Sequence, residues 1–299
     1  MATHWTAIPQ DRSVSKNIDL PKTVWNLGWF FGLSLLAAGA ARGASGDHKL
    51  QSSNSGWTVN FTGASLNTHF WVIANGRAPG YIPCDQIGYF VPSHVLMGGG
   101  YLTLVLTQSV GTVDTCTGII SDGAEIYTRK TYGYGTYQWT MRMSSTASTP
   151  TSPGTAVSGS VSAGFIYVDN SETEIDFEFP GYEEYVPTGD DPSDTLYMVN
   201  WLNPNPSSAP TDSEETYSTV SGLSVAGGFH AYKFVWQPGE IQYYVDGTLE
   251  ATHTTNVPSA PAHFMINHWG TDNVNWGGVA TTNVTRYFYV QSASYTPLP

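Results

Sequence analysis

Basic residues are scarce in this sequence. Only 11 of its 299 residues are Lys or Arg, against 24 Asp or Glu, so the formal net charge is −13. Charged residues make up 12% of the chain, about half the usual ~25%. Such a chain lacks the basic surface that binds nucleic acid, anionic membranes or polyanionic substrates, and we expect none of these as partners.

Long apolar runs are also missing, with one exception at residues 27–41, which is shorter than the ~20 residues of a membrane span. Basic residues precede this run, and it contains the small-residue cleavage sequence Ala38-Gly39-Ala40, so we predict a signal peptide. An N-terminal membrane anchor and a misplaced start codon are the alternatives. We therefore exclude 1–43 from the fold and expect residues 44–299 to form a single domain of a secreted, extracellular protein.

Cysteine is nearly absent, since Cys84 and Cys116 are the only two. In an exported protein, two cysteines favour one disulfide. The alternative is a pair of buried free thiols, which gains weight if the protein is not exported. Two Cys without a His pair at ligand spacing do not predict a zinc site.

No window has a convincing helical period, and from Trp57 onward the pattern is one of strands and turns. β-Branched and aromatic residues alternate with others, and turn residues fill the gaps. QPGE (237–240) and VDGT (245–248) are predicted as tight turns between paired strands. The predicted strands are 101–107, 132–143, 163–168, 173–179, 195–202, 229–236, 240–247 and 263–269. This pattern predicts an all-β, antiparallel β-sandwich or jelly roll.

Two stretches are predicted as surface loops. Residues 144–162 are low in complexity, and strands resume directly after them, so we expect a flexible loop inside one domain. A second, acidic loop spans 181–194. No internal repeat is evident, which agrees with a single domain.

The most informative segment is Thr173-Glu-Ile-Asp-Phe-Glu-Phe179. Side chains alternate between the faces of a strand, so Glu174, Asp176 and Glu178 share one face and the apolar residues share the other. Three like charges in a row repel one another, and no basic residue lies nearby in sequence. Such a costly row invites a functional explanation, although a solvated surface strand and a calcium site are alternatives.

One reaction class fits this row well. Retaining glycosidases need two carboxyl groups roughly 5–5.5 Å apart, one as nucleophile and one as acid/base. Residues four apart on a strand have Cα atoms about 13 Å apart, and two Glu side chains leaning together close most of that gap. Asp176 would then lie between them and tune both neighbours.

The sequence resembles glycoside hydrolase family 16, whose signature Glu-x-Asp-x-Glu matches Glu174 to Glu178. The similarity extends over roughly residues 57–296. Further matching segments, in order, are Ala124-Glu125, Tyr132-Gly-Tyr-Gly-Thr-Tyr137, Phe179-Pro-Gly181, Asn200-Trp201, Phe229-His-Ala-Tyr232, Trp236-Gln-Pro-Gly239, Tyr244-Val-Asp-Gly247 and Met265-Ile-Asn-His-Trp269.

The resemblance implies a jelly-roll sandwich with a concave substrate cleft and retaining cleavage of a β-glycan. It implies that Glu174 is the nucleophile, Asp176 its assistant and Glu178 the general acid/base. The signature has no extra residue after Asp176, and in this respect it is similar to that of lichenases and xyloglucan-active members. The spacing of Cys84 and Cys116 also looks like that of lichenases.

The sequence departs from the family pattern in three places. Lichenases often have Arg where this chain has Tyr127, and many members bind calcium through an Asp of the last strand, where this chain reads Tyr287-Phe-Tyr289. We therefore expect no required cofactor and no metal ligands, with a structural calcium ion kept as the alternative. The loops 144–162 and 181–194 are longer than in lichenases.

Seven further residues are predicted to bind substrate. Sugars have apolar C–H faces that pack on flat aromatic rings, and their hydroxyl groups need polar partners. We expect Trp236 to serve packing, and His263 and His268 to make local hydrogen bonds. The predicted substrate-binding residues are Glu125, Tyr134, Phe165, Asn200, Trp201, Trp269 and Trp276.

The sequence therefore predicts an endo-acting enzyme on a neutral β-glucan, either mixed-linkage β-1,3-1,4 or β-1,3. Transglycosylation on β-glucan or xyloglucan is the alternative enzyme activity, because a sugar can intercept the same covalent intermediate. A non-catalytic glycan-binding module is a further alternative, but such a module has no need for the costly row of acids. We expect a monomer whose partner is the polysaccharide, with no protein partner.

Overall fold

The computed structural model describes residues 55–299, and the predicted signal peptide lies outside the described residues. Seventeen strands account for the regular structure of this region, together with two short 3₁₀ turns at Pro92–His94 and Asp212–Glu214. All strand pairings but one are antiparallel; β4 (Gln86–Phe90) runs parallel to β7 (Cys116–Tyr132). The predicted all-β antiparallel class is confirmed.

The strands form two layers, which we call the front sheet and the back sheet. In spatial order the front sheet comprises β12 (Glu215–Ser221), β11 (Thr195–Trp201), β10 (Thr173–Pro180), β9 (Ser160–Val168), β16 (Ala262–Gly270), the second half of β7, and β2 (Trp71–Ile73). The back sheet comprises β15 (Thr248–His253), β14 (Glu240–Val245), β13 (His230–Gln237), β8 (Gly135–Ser145), β17 (Arg286–Pro297), then β1 (Trp57–Asn60) and the first half of β6 (Tyr101–Val113), and β5 (Val95–Gly98).

Two long strands connect the layers at one side. β6 pairs with β17 through its first half and with β7 through its second half. β7 in turn pairs with β16 beyond residue 123. The short strands β3 (Gly76–Arg77) and β4 extend this connection, and the Cys84–Cys116 disulfide ties the segment before β4 to the start of β7. The predicted disulfide is confirmed.

Aromatic side chains fill the space between the sheets behind β10. Phe177 is fully buried, and its ring lies 5.4 Å from the ring of Tyr232 on β13 and 5.4 Å from that of Tyr243 on β14. Trp139 of β8 stacks on Phe264 of β16 at 4.4 Å. Each buried ring contributes roughly 1.5–3 kcal/mol. This packing fixes which face of β10 points inward.

The strands and turns expected from the sequence are largely present. The turn at 245–248 has positive φ at both Asp246 (50°) and Gly247 (84°), as a two-residue hairpin turn requires. The sequence analysis did not single out the long strands β7 and β17. Trp236 is fully buried and donates its indole N–H to the Pro258 carbonyl, so its predicted packing role is confirmed.

The loop expected at 144–162 is shorter and better anchored than predicted. Its ends belong to β8 and β9, so the connection covers only 146–159. The buried Arg142 side chain donates hydrogen bonds to the carbonyls of Pro150 and Ser152, at 3.1 and 2.7 Å. Composition indicated an unstructured segment because it does not show that Arg142, in the strand before the loop, binds the loop carbonyls. Within residues 55–299 no helix is long and apolar enough to cross a bilayer.

The disulfide should contribute measurably to stability. It closes a loop with a sequence separation of 32 residues, for which loop entropy gives about 3–4 kcal/mol. We expect the double variant C84S/C116S to lose this amount in denaturant unfolding monitored by tryptophan fluorescence. Reduced wild type is the matched control and should lose the same amount. A loss below about 1 kcal/mol in both would contradict the estimate.

Candidate active site

The acids of β10 share one face of the front sheet. Ile175, Phe177 and Phe179 point into the core with no exposed surface, so the alternation predicted for this strand is confirmed. Glu174 and Glu178 are half-buried on the opposite face, and Asp176 between them is 1% exposed. We call this outer side of the front sheet the acid face.

Cross-strand neighbours give the acid row an apolar surrounding. Glu174 lies opposite Trp201 on β11 and Tyr167 on β9. Asp176 lies opposite Val199 and Phe165, and Glu178 opposite Tyr197 and Ala163. Directly opposite residues of an antiparallel pair project from the same face. The carboxyl groups are therefore flanked by side chains that exclude water.

A fourth carboxyl group faces the row from β12. Glu215 lies opposite Trp201, two strands away from Glu174, and its charge raises the pKa values of Asp176 and Glu178. The sequence analysis missed Glu215. The signal that could have found it is the strand alternation of Glu-x-Tyr-x-Thr from 215 to 219, which follows a segment that the sequence already placed in the sheet.

Burial controls the protonation of the row. It raises the pKa of Glu174 to about 7, and burial together with the charges of Glu174 and Glu215 raises that of Glu178 to about 8. The pKa of Asp176 is raised well above its usual range by burial and by the charges of the other three acids. The charge of Asp176 is not among the causes that raise the pKa of Glu178.

Glu125 of β7 is a further buried carboxyl group on the acid face. It has no exposed surface, and the Asn267 amide donates a hydrogen bond to its carboxyl group at 3.3 Å. Within residues 55–299, Glu125 Oε1 and Asn267 Oδ1 have no hydrogen-bond partner. Burial raises the pKa of Glu125 to about 8, so at neutral pH this group is a carboxylic acid. The pair therefore holds two unsatisfied polar atoms that are buried beneath the acid face.

Four of the predicted aromatic residues lie at the acid face. Phe165 belongs to the floor beside Asp176, with 1% exposure, and Trp201 borders Glu174. Trp269 lies further along β16, opposite Val161. Trp276, in the connection after β16, packs against both Trp269 and the Tyr197 cluster, with its ring 5.0 Å from that of Tyr197.

The comparisons with known proteins agree with this geometry. The model of glycosyl hydrolases family 16 matches residues 90–286. The chain belongs to this family. The resemblance seen in the sequence is thereby confirmed.

Similar proteins carry β-glucanase names. A β-glucanase of Paenibacillus macerans is 32% identical over 184 residues, covering 60% of this chain and 63% of that protein. One of Bacillus amyloliquefaciens is 33% identical over 154 residues, covering 50% of this chain and 53% of that protein. The matches thus span half to two thirds of these relatives.

Solved structures of family 16 share the fold. Bacillus licheniformis β-glucanase superposes with a TM-score of 0.62 at 25% identity, covering 83% of this chain and 100% of that one. The laminarinase catalytic domain of Thermotoga maritima gives 0.62 at 15% identity, covering 81% and 98%, and this likeness concerns the fold alone. The predicted jelly-roll sandwich is confirmed.

Two residues predicted to bind substrate lie elsewhere in this family 16 chain. Asn200 pairs with Ile175 and so faces away from the acids; its amide donates to the carbonyls of Thr255 and Asn256, and its oxygen lies 2.7 Å from His253 Nδ1. These bonds connect β11 to the end of β15. The prediction for Asn200 is wrong. Adjacent residues of a strand project from opposite faces, so Asn200 cannot share the acid face with Trp201.

The prediction that Tyr134 binds substrate is also wrong. It lies in the turn between β7 and β8, packs against the core, and has its ring 4.7 Å from that of the buried Trp236. Its aromatic neighbours are therefore core residues and not the acids of β10. The local roles predicted for two histidines are confirmed: His263 bonds the Thr128 carbonyl, and His268 bonds the Leu104 carbonyl and Ser144.

The last strand does not fit the family's calcium site. Phe288 is buried in the core, and the Tyr289 hydroxyl donates to the Ala147 carbonyl, so the place expected for an Asp carries no anionic ligand. Within residues 55–299 no three His, Cys, Asp or Glu side chains are grouped to hold a metal ion.

The buried carboxyl groups predict an unusual pH dependence of stability. Because the folded pKa of Glu125 is about 8 and the usual value is 4.5, the unfolded chain ionises first, and stability falls as pH rises through this window. His253 and His268, with pKa values lowered by burial to about 4 and 3, act oppositely below 6.5. We expect maximum stability between roughly pH 4.5 and 6.5.

Glu125→Gln tests the contribution of one of these carboxyl groups. The variant should reduce the loss in unfolding free energy between pH 5 and 8 by on the order of a few kcal/mol, measured by urea unfolding at several pH values. Asp85→Asn, at an exposed carboxyl group, is the matched control and should leave the profile unchanged. Equal profiles for wild type and Glu125→Gln would show that Glu125 is ionised in the folded protein.

Proposed function

We propose that the protein is a retaining, endo-acting glycoside hydrolase that cleaves a neutral β-glucan, either mixed-linkage β-1,3-1,4 or β-1,3. The observation that carries the proposal is the row of Glu174, Asp176 and Glu178 on one face of β10, held at raised pKa between apolar neighbours. Two carboxyl groups with separate proton-transfer roles are what a double displacement requires.

In the first step Glu174 attacks the anomeric carbon and the bond from that carbon to the glycosidic oxygen breaks. Glu178 gives its proton to the departing oxygen, so the leaving group departs as an alcohol. In the second step Glu178 removes a proton from water, whose oxygen displaces Glu174 from the same carbon. Two inversions give net retention of configuration.

The charges of the row support this division of roles. Glu178 has the higher pKa of the two glutamates, about 8, so it keeps its proton when Glu174 is ionised. Once Glu174 is esterified, its negative charge disappears and one cause of the raised pKa of Glu178 disappears with it. Glu178 then becomes a stronger acid, and its conjugate base is available for the second step. Asp176, whose pKa is raised well above its usual range, lies between the two.

A neutral substrate suits the acid face. It carries Glu125, Glu174, Asp176, Glu178 and Glu215, and within residues 55–299 none of these five forms an ion pair with Lys or Arg. A sulfated or uronic-acid polymer would bring its anionic groups to a face where these acids have no Lys or Arg partner and where Glu174 must be ionised for its attack. The half-buried Trp276 and the exposed Tyr217 offer flat surfaces for sugar rings.

The setting of the enzyme is part of the same proposal. We infer export from the cell, because a structural disulfide persists in oxidising compartments, and a polysaccharide as the partner of a monomer. Hydrolysis and transglycosylation share every step up to the intermediate and differ in whether water or a sugar then attacks it. The experiment with excess oligosaccharide, described below, distinguishes them.

Azide rescue tests the two glutamate roles. Glu174→Gln should abolish turnover of every substrate, because the nucleophile is lost. Glu178→Ala should fail on polysaccharide but form the intermediate from an aryl glycoside, whose leaving group needs no proton. Added azide should then restore turnover and give a β-glycosyl azide, detected by NMR. Rescue of Glu174→Ala instead, with an α-azide product, would show that the roles are reversed.

A substrate screen tests the glycan class. Barley β-glucan, laminarin, xyloglucan, agarose and carrageenan should be incubated with the enzyme and the oligosaccharides analysed by mass spectrometry. We expect cleavage of barley β-glucan or laminarin, and water as the main acceptor even with excess oligosaccharide. Preference for a sulfated polymer would contradict the charge argument, and elongated products would indicate transglycosylation.

A further inference from the structure

The turn that precedes the acid strand has an unusual backbone. Between β9 and β10, three consecutive residues adopt positive φ: Asp169 (39°), Asn170 (48°) and Ser171 (62°). L-residues enter this left-handed region at a steric cost, and single visits are the rule. Three in succession persist only where the surrounding structure holds them in place.

Asn203, just after β11, supplies that hold. It is 1% exposed, and its amide nitrogen donates to the carbonyls of Asn170 at 2.7 Å and Ser208 at 2.9 Å. Its backbone N–H donates to the Ser171 carbonyl at 2.9 Å, and its side-chain oxygen accepts from Asn205 at 2.9 Å. The bonds to Asn170 and Ser171 hold the turn, and the bonds to Ser208 and Asn205 fix the Asn203 side chain against the loop that follows it.

The turn brings a hydroxyl group to Glu174. Ser171, which is 2% exposed, donates a hydrogen bond from Oγ to Glu174 Oε2. Along a regular strand, a residue three positions earlier would project from the opposite face, about 10 Å away. The left-handed turn is what folds Ser171 back onto the acid face.

We propose that Ser171 is a positioning residue for the nucleophile: it holds Glu174 Oε2 and leaves Oε1 as the oxygen that bonds to the anomeric carbon. This inference rests on the proposed function. A hydrogen-bond donor to one carboxylate oxygen fixes the rotation of the carboxylate group. The attacking oxygen is therefore oriented before the reaction begins. As the new bond forms, the bond to the glycosidic oxygen breaks and that oxygen takes the Glu178 proton.

The same hydrogen bond favours the ionised form of Glu174. It lowers the pKa of Glu174 against the larger rise caused by burial. Because Glu174 must be ionised and Glu178 protonated, Ser171 widens the pH range in which both conditions hold. Its loss should therefore appear in the acidic limb of the pH profile, which reports the free enzyme's essential base.

Ser171→Gly and Ser171→Ala test the proposal together. Both lose the hydroxyl group, so both should move the acidic limb of kcat/KM up by about one pH unit and lower kcat about tenfold. Their thermal stabilities should diverge, because Gly adopts a φ of 62° readily and Ala does not. Asn170→Gly, at a φ of 48°, relaxes the same turn without touching Glu174 and should leave the acidic limb in place.

The outcomes separate two failures. If Ser171→Gly leaves the acidic limb and kcat unchanged while Glu174→Gln is inactive, Ser171 serves the turn alone and the positioning proposal is wrong. If Asn170→Gly moves the limb as far as Ser171→Gly, turn rigidity is the cause and the proposal is again wrong. If Glu174→Gln retains full activity on β-glucan, the proposed function itself fails.

Discussion

Desolvation of a like-charged row is the constraint on which the site depends. β10 presents Glu174, Asp176 and Glu178 outward only because Ile175, Phe177 and Phe179 are locked into the core. The neighbouring strands surround the row with aromatic and aliphatic side chains, and none of its acids forms an ion pair with a Lys or Arg of the described residues 55–299. Under these conditions carboxyl groups keep protons at neutral pH. The chemistry of the proposed enzyme is a consequence of this burial.

The rest of the molecule supports that arrangement. The aromatic core between the sheets holds β10 in one orientation, since a register slip of one residue would turn the acids inward. The hydrogen bonds of Asn200 and His253 connect β11 to β15, where the open edges of the two sheets meet. On the other side, β6 and β7 pass between the layers, with the disulfide at the start of β7. The acid strand thus lies within a sheet braced at both edges.

Sequence alternation predicted the central part of the site because a strand has a period of two. It also contained the information that excludes Asn200: a residue next to Trp201 on a regular strand projects from the other face. The family resemblance suggested that both Asn200 and Trp201 bind substrate, but strand geometry places only one of them on the acid face. Tyr134 was misassigned for a different reason, since a residue in a turn has no face that periodicity can define.

The features that sequence reasoning missed depend on contacts between distant segments. Glu215 of β12 lies on the acid face because it pairs with Trp201 of the neighbouring strand β11. Ser171 reaches Glu174 only because Asn203, more than thirty positions away, stabilises a left-handed turn. For Glu215 the alternation of its own strand is the one local signal, and the contact between Ser171 and Glu174 has none. Asn267, the partner of the predicted Glu125, was missed because the two residues come from strands that are far apart in the chain.

The central claim is that burial and neighbouring charge keep a proton on Glu178. Carbon NMR of protein labelled at the Glu side-chain carboxyl carbon, with the Glu178 resonance assigned by Glu178→Gln, measures this directly. The account predicts a Glu178 midpoint near pH 8 in wild type, and a lower midpoint in Glu174→Gln, where one neighbouring charge is gone. A midpoint near 4.5, unchanged by that substitution, would contradict it.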